Sequence, residues 1–264
     1  MLETTATLDK TTDEFVIHSP TQTSTKYWPG DLGRFSTHAA VFARLKIDGK
    51  DFGVHCFIVP LRDLNTYKHL KGVRTGDMGT KFGYTTKDNG WAIFDNVRVP
   101  RTNMLMRMAN VDKAGKMNVV GDMRVLYTTM MLIRTRIVFI MNEYMFNALN
   151  IALRYASVRR QFATIEKSKQ ERQILDYQTM QHILTPELAK AYVQAITSSF
   201  VRDGFREMID DVQQSKFERM DPMHHLLSGF KAKFTDECCA SIDKCRRSTG
   251  GAGFLSQAGF TDLF

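Results

Sequence analysis

The apolar and polar positions of this chain follow two rhythms, one in each half. Residues 3–8 alternate Thr with apolar side chains, and residues 14–18 (Glu-Phe-Val-Ile-His) follow after a polar turn. Residues 38–47 and 51–61 form two β-rich runs separated by Asp48-Gly49-Lys50, the Asp-Gly signal of a tight hairpin. Residues 82–85 and 91–99 read as two further strands with Asp88-Asn89-Gly90 as the turn between them, and Pro100 closes the last. Six such runs ahead of residue 101 predict a small antiparallel barrel or sandwich.

The second half has a helical period. Residues 122–160 contain no Gly and no Pro, and Ile133, Ile137, Met141, Tyr144, Ala148, Ile151 and Tyr155 recur at steps of three or four. At about 1.5 Å per residue such a helix reaches about 55 Å, too long to stand alone in water, so it belongs in a bundle. A second helical pattern covers residues 169–211, with Pro186 expected to kink or interrupt it. The charged stretch 203–217 is expected to include a loop. A third helix opens at Asp221-Pro222, read as N-cap and first helical residue, and stops at Gly250-Gly251. The rhythm changes between residues 109 and 121, which sets the expected domains at 1–112 and 113–264. The expected fold class is therefore α+β: an antiparallel β-barrel or sandwich followed by a long-helix bundle. The chain stops directly after the glycine cluster while a bundle wants a fourth helix, so this bundle is expected to be incomplete.

Composition narrows the classes of function. Among the 264 residues the hydrophobic share is 43% and the charged share 24%, ordinary for a soluble globular protein. No segment has 18 consecutive apolar residues, so no membrane span is expected, and the first residues lack the basic and apolar regions of a secretory signal. The formal net charge of +8 is spread along the chain, with only short clusters such as Arg159-Arg160 and Arg246-Arg247. A nucleic-acid binder gathers its basic residues on one face, so none is expected here. A diffuse surplus suits a phosphate-rich coenzyme or a solvated surface. The four cysteines form no Cys-x-x-Cys pair. Cys238 and Cys245 lie seven apart on one helical face, as small core residues in a reducing compartment would. No metal site is expected, because His224 and His225 are adjacent and point in different directions on a helix.

Six segments, in order, resemble the peroxisomal acyl-CoA oxidases and, more distantly, the acyl-CoA dehydrogenases. Thr25-Lys26-Tyr27-Trp28-Pro29-Gly30-Asp31-Leu32-Gly33 resembles the Lys-Trp-Trp-Pro-Gly-Gly-Leu-Gly segment of the oxidases. Lys81-Phe82-Gly83-Tyr84 with Asp88-Asn89-Gly90 comes next, then Arg98-Val99-Pro100-Arg101-Thr102-Asn103-Met104-Leu105-Met106. Tyr155-Ala156-Ser157-Val158-Arg159-Arg160-Gln161-Phe162 is similar to the wider Tyr-x-x-x-Arg-x-Gln-Phe signature. Gln173-Ile174-Leu175-Asp176-Tyr177-Gln178 and Gly250-Gly251-Ala252-Gly253-Phe254 complete the series. Two departures stand out. Asp31 occupies the place of the second glycine, and Phe139-Ile140-Met141-Asn142 replaces small residues.

The resemblance implies an FAD-dependent acyl-CoA oxidase of fatty-acid β-oxidation, or part of one, in the peroxisome. It implies FAD between a β-domain and a helical bundle, a fatty acyl-CoA substrate, and a homodimer. Trp28 and Gly30 would face the isoalloxazine: Trp28 offers a flat apolar face, and Gly30 lets the backbone approach closely. The bland reading of the same residues is a turn ending a strand. Arg159 and Gln161 would reach the pyrophosphate of the neighbouring subunit's FAD, where a guanidinium fork suits phosphate oxygens, and Gly250 and Gly251 would meet the same cofactor. A solvated helix end and a helix stop are the alternatives. Arg134 would meet the CoA end of the substrate, or else be an ordinary snorkelling side chain. The family's catalytic Glu would fall shortly beyond Phe264, so no catalytic residue is assigned, and Glu143 and Glu187 read as helix-surface or interhelical groups. A non-catalytic acyl-CoA oxidase-like subunit with a structural or ligand-binding role is the alternative function.

Overall fold

The computed structural model describes residues 2–164 and 169–264. The chain forms two compact units, Met1–Met123 and Arg124–Phe264. The first contains β1 (Thr5–Asp9), β2 (Glu14–His18), β3 (Lys26–Gly30), β4 (His38–Ile47), β5 (Lys50–Pro60), β6 (Val73–Asp77), β7 (Asn89–Phe94), β8 (Val97–Pro100), β9 (Ala109–Val111) and β10 (Met117–Val119). Five strands form one sheet in the order β5-β4-β1-β2-β8, and three form another in the order β3-β7-β6. Neighbours are antiparallel except β1 and β4, which run parallel. The β9–β10 hairpin stands apart from both sheets and belongs to this unit.

Alternation explains the layering. In β2, Phe15 and Ile17 are fully buried while their neighbours are half exposed. One apolar core contains residues of both sheets, among them Phe15, Leu45 and Phe57 from the larger and Val73, Ala92 and Phe94 from the smaller. Phe15 and Phe57 meet edge to face with ring centroids 5.0 Å apart. Each such buried Phe contributes about 1.5–3 kcal/mol. The Asp-Gly signal is realised as a two-residue turn: Ile47 pairs with Lys50, and Asp48 (φ 50°) and Gly49 (φ 76°) both take the left-handed conformation. This backbone matches the twist of the flanking strands. Residues 82–85, expected as a strand, lie in a loop instead. Phe82 is 97% and Tyr84 71% exposed, so the run has no sheet face to bury.

The second unit contains α1 (Thr128–Val158), β11 (Arg160–Thr164), β12 (Glu171–Gln173), α2 (Gln178–Gln213), α3 (Met220–Ser248) and the short α4 (Phe260–Leu263). A 3-10 turn, Met123–Tyr127, precedes α1. The expected second helix starts nine residues late, because Glu171–Gln173 pairs with β11 and Ile174–Asp176 makes a 3-10 turn. Pro186 does not interrupt α2, which runs on to Gln213, and the loop expected within residues 203–217 begins only at its end, after Gln213. The third helix begins at Met220 with Arg219 at the N-cap position, whose side chain does not cap the helix but pairs with Glu207 and Asp211 of α2. Asp221 and Pro222 therefore sit inside its first turn, where a missing N–H costs little. Asp221 is not the cap; its carboxylate accepts from Arg124 Nη1 at 2.8 Å.

Small residues let the long helices approach. Ala148, Ala152 and Ala156, spaced by four on α1, share a core with Ala191 of α2 and with Cys238, Ile242 and Cys245 of α3. A second cluster joins Met131 of α1 to Val201, Phe205 and Met208 of α2 and Leu227 of α3. By length and composition alone, Met123–Val158 is long and apolar enough to cross a membrane, although it holds no run of 18 consecutive apolar residues. Here it packs against α2 and α3.

Candidate functional site

A cavity of about 890 Å³ opens in the helical unit where the end of α1, β11, the first turns of α2 and the end of α3 converge. Its construction starts at the end of α1. Arg159 leaves the helix with extended backbone (φ −65°, ψ 129°), and its carbonyl accepts from the Ile174 N–H at 2.9 Å. This turn sends the chain into β11 and sets Gln161 on the cavity wall, where the Gln161 carbonyl accepts from the Tyr177 hydroxyl at 2.8 Å. Pro186, also on the wall, has no N–H to give the carbonyl of His182 one turn back, and His182 lines the same cavity.

Charge on the wall is organised around one carboxylate. Glu187 is 1% exposed. Its oxygens accept from Lys244 Nζ at 2.5 Å, Ser241 Oγ at 2.5 Å and Lys190 Nζ at 3.2 Å. Burial pushes the Glu187 carboxyl up, but the bonds from Lys244, Ser241 and Lys190 outweigh it and hold the group below its ordinary value. Lys190, Lys244 and Arg247 all line the cavity. At the far end of α3, Gly250 takes φ 60°, and a Cβ placed on Gly250 or Gly251 would meet open space. Gly253 differs: its Cβ would lie 2.1 Å from the Arg246 carbonyl oxygen, so packing alone demands glycine there.

In the β-unit, Trp28 and Gly30 lie on β3. Trp28 is 58% exposed and takes φ 84°, an unusual conformation for a bulky residue. Its carbonyl accepts from Asn89 Nδ2 at 2.9 Å, and its ring meets Tyr27 edge to face at 6.3 Å. Gly30 is not left-handed, and a Cβ there would meet the end of the Lys87 side chain, 2.9 Å from Cε. Asp31, at φ 63°, is bound by Lys87 Nζ at 2.8 Å, so its carboxylate is already paired. Arg134 sits in the second turn of α1 and turns toward α3, where its Nη1 donates to His224 Nε2 at 2.8 Å and Ser228 Oγ at 2.9 Å. Phe139 and Ile140 face outward, 40% and 36% exposed, and line a separate groove of about 370 Å³ with Arg136, Arg202 and Arg206.

Of the residues singled out in the sequence, the structure brings Gln161 and Gly250 to one cavity. Arg159 is exposed next to Gln161, Gly251 is exposed next to Gly250, and Arg134 lies outside the cavity lining. Sequence reasoning missed Lys190, Lys244 and Arg247; it read Glu187 as a helix-surface or interhelical group, and the structure makes it interhelical. The Glu187–Lys190 spacing of three was a visible sign; Lys244 reaches the site only through the packing of α3 on α2.

The sequence model of the acyl-CoA oxidase C-alpha1 domain matches residues 127–264. The whole chain is 43% identical to a probable acyl-coenzyme A oxidase of Caenorhabditis elegans and 41% identical to peroxisomal acyl-coenzyme A oxidase 1 of Cavia porcellus. It covers 40% of the length of each. Among solved structures, acyl-CoA oxidase-2 of C. elegans, bound with FAD, ascaroside-CoA and ATP, superposes with a TM-score of 0.95 at 38% identity, over 100% of this chain and 40% of that one. A two-sheet β-unit followed in the chain by long helices is the architecture shared with these oxidase structures. This chain belongs to the acyl-CoA oxidase family.

Proposed function

We propose that this chain supplies the flavin-facing β-unit and the first helices of the C-terminal bundle of an FAD-dependent acyl-CoA oxidase. The reaction converts a fatty acyl-CoA and dioxygen into the trans-2-enoyl-CoA and hydrogen peroxide, within fatty-acid β-oxidation. The observation that carries the reading is the cavity at the end of α3, where a cationic wall adjoins glycine backbone with open space in front of it. That arrangement fits a dinucleotide's phosphates, which favour backbone N–H groups and fixed cations. FAD bound to the protein would supply the acceptor for the substrate's β-hydride and pass the electrons to dioxygen.

The chain's own residues would then do the following. Trp28 would lay its exposed face on the isoalloxazine, and Gly30 would admit the ring close to the backbone. Arg159, Gln161, Gly250 and Gly251 would hold the pyrophosphate of the FAD of a second copy, which makes the assembly a homodimer. Arg134 would meet the CoA end of the fatty acyl-CoA, and the hydrogen bonds from Arg134 to His224 and Ser228 would hold it extended in readiness. The proposed setting is the peroxisome, in line with the relatives so named. The test is flavin content and peroxide release. The native protein containing this chain should purify yellow and release peroxide on addition of a straight-chain fatty acyl-CoA, and Gln161→Ala and Trp28→Ala should each lower flavin retention. A colourless native protein that releases no peroxide would defeat the reading.

A further inference from the structure

Glu187 is a charged group buried where nothing in the overall fold asks for a charge. Its side chain is 2% exposed, whereas its two lysine partners keep 41% (Lys190) and 47% (Lys244) of theirs. A buried carboxylate stays ionised only when donors meet it, and Glu187 has three of them. The carboxylate in turn fixes the lysines. Lys190 comes from the next turn of α2, Lys244 from α3, and both present their half-exposed ends to the cavity alongside Arg247. No other carboxylate lines the cavity among the described residues, so the wall carries surplus positive charge.

We propose that Glu187 is a positioning residue, which sets the Lys190 and Lys244 ammonium groups as a fixed pair of donors toward a phosphate-bearing ligand in this cavity. The inference rests on reading the cavity as the pyrophosphate side of an FAD site. Lysine is a flexible point charge whose side chain loses much rotamer freedom on binding. Two lysines already tethered to one carboxylate have lost part of that freedom before the ligand arrives. A purely structural Glu187, tying α2 to α3, makes the opposite forecast. Its replacement by Gln removes the negative charge from the wall, and anion affinity should then stay level or rise.

The probe is inorganic pyrophosphate, titrated calorimetrically into the full chain, with FAD titrated in parallel. The unsubstituted chain should bind pyrophosphate, more weakly as salt rises. Glu187→Gln should bind it about tenfold more weakly, the loss of roughly one charge-assisted bond. Ser241→Ala, whose hydroxyl holds Glu187 but does not line the cavity, should weaken binding about threefold, in line with one neutral bond. This second variant decides the matter if Glu187→Gln fails to fold. Lys190→Met and Lys244→Met should each weaken binding about tenfold. Unchanged or tighter pyrophosphate binding by folded Glu187→Gln overturns the proposal. So does unchanged binding by Ser241→Ala or by either lysine variant, and so does a parent chain that binds no pyrophosphate. A parent chain that binds pyrophosphate but not FAD defeats the FAD reading alone, and the pyrophosphate titrations still decide the role of Glu187.

Discussion

Gly30 and Trp28 exchange the parts their residue types suggest. The glycine has an ordinary strand backbone, while the tryptophan two residues earlier takes the left-handed one. Gly30→Val therefore meets the end of the Lys87 side chain, which must shift against its ion pair with Asp31, and the β-unit should lose only about 1 kcal/mol. If the flavin lies against Gly30, the same variant should purify without flavin; thermal melting and flavin absorbance read the two effects separately. Trp28 carries a cost of about 1–3 kcal/mol for its conformation, and its exposed ring recovers little of that by burial. Trp28→Gly should then melt at the same temperature as the parent or a few degrees higher, despite glycine's own entropic cost of about 0.5–1 kcal/mol. A clear drop in melting temperature would mean that the ring supports the fold and is not held out for a ligand.

At the scale of the elements, the buried Glu187 links α2 and α3 in a way that pH can report. Its carboxyl is held below the ordinary 4.5, so the stabilisation it gives is complete above that value and is lost as pH falls through the depressed one. Glu187→Gln should destabilise the helical unit by about 1–3 kcal/mol at neutral pH and flatten the acid limb of stability, measured by urea unfolding at a series of pH values. An acid limb equal to the parent's would exclude Glu187 as its source. Several elements were legible in the sequence for simple reasons. Asp48-Gly49 permits only a narrow set of turns, and residues 128–158 keep a helical period without a breaker. Others were hidden because the deciding force is tertiary. Residues 171–173 pair with β11 despite a helical pattern, and Pro186 stays inside α2 because the helix is packed on both sides of it. The site divides along the same line. Gln161 and Gly250 belong to local motifs, whereas Lys244 acquires meaning only when α3 sets it beside Glu187.

The whole molecule leaves apolar rows in water. On α2, Tyr192, Val193, Ile196 and Phe200 are 59–72% exposed and recur on one side of the helix. On α1, Met130 and Ile133 are half exposed as well. Patches of this kind seek cover, and the purified chain should associate at micromolar concentration. Ile196→Glu combined with Phe200→Lys should shift sedimentation or light scattering toward the monomer; a parent chain that is already a clean monomer would contradict this.

The thiols packed between the helices have a chemical consequence. Burial pushes the Cys238 and Cys245 thiols up to about 12, and it raises Cys56 as well. Cys239 is the exposed one. Thiolate, not thiol, reacts with oxidants and alkylating agents. Under native conditions iodoacetamide or hydrogen peroxide should therefore modify Cys239 first, with the other three reacting only after denaturation, as peptide mass mapping would read. The close packing that joins α1 to α3 thus keeps the sulfur of Cys238 and Cys245 out of reach of oxidants in solution.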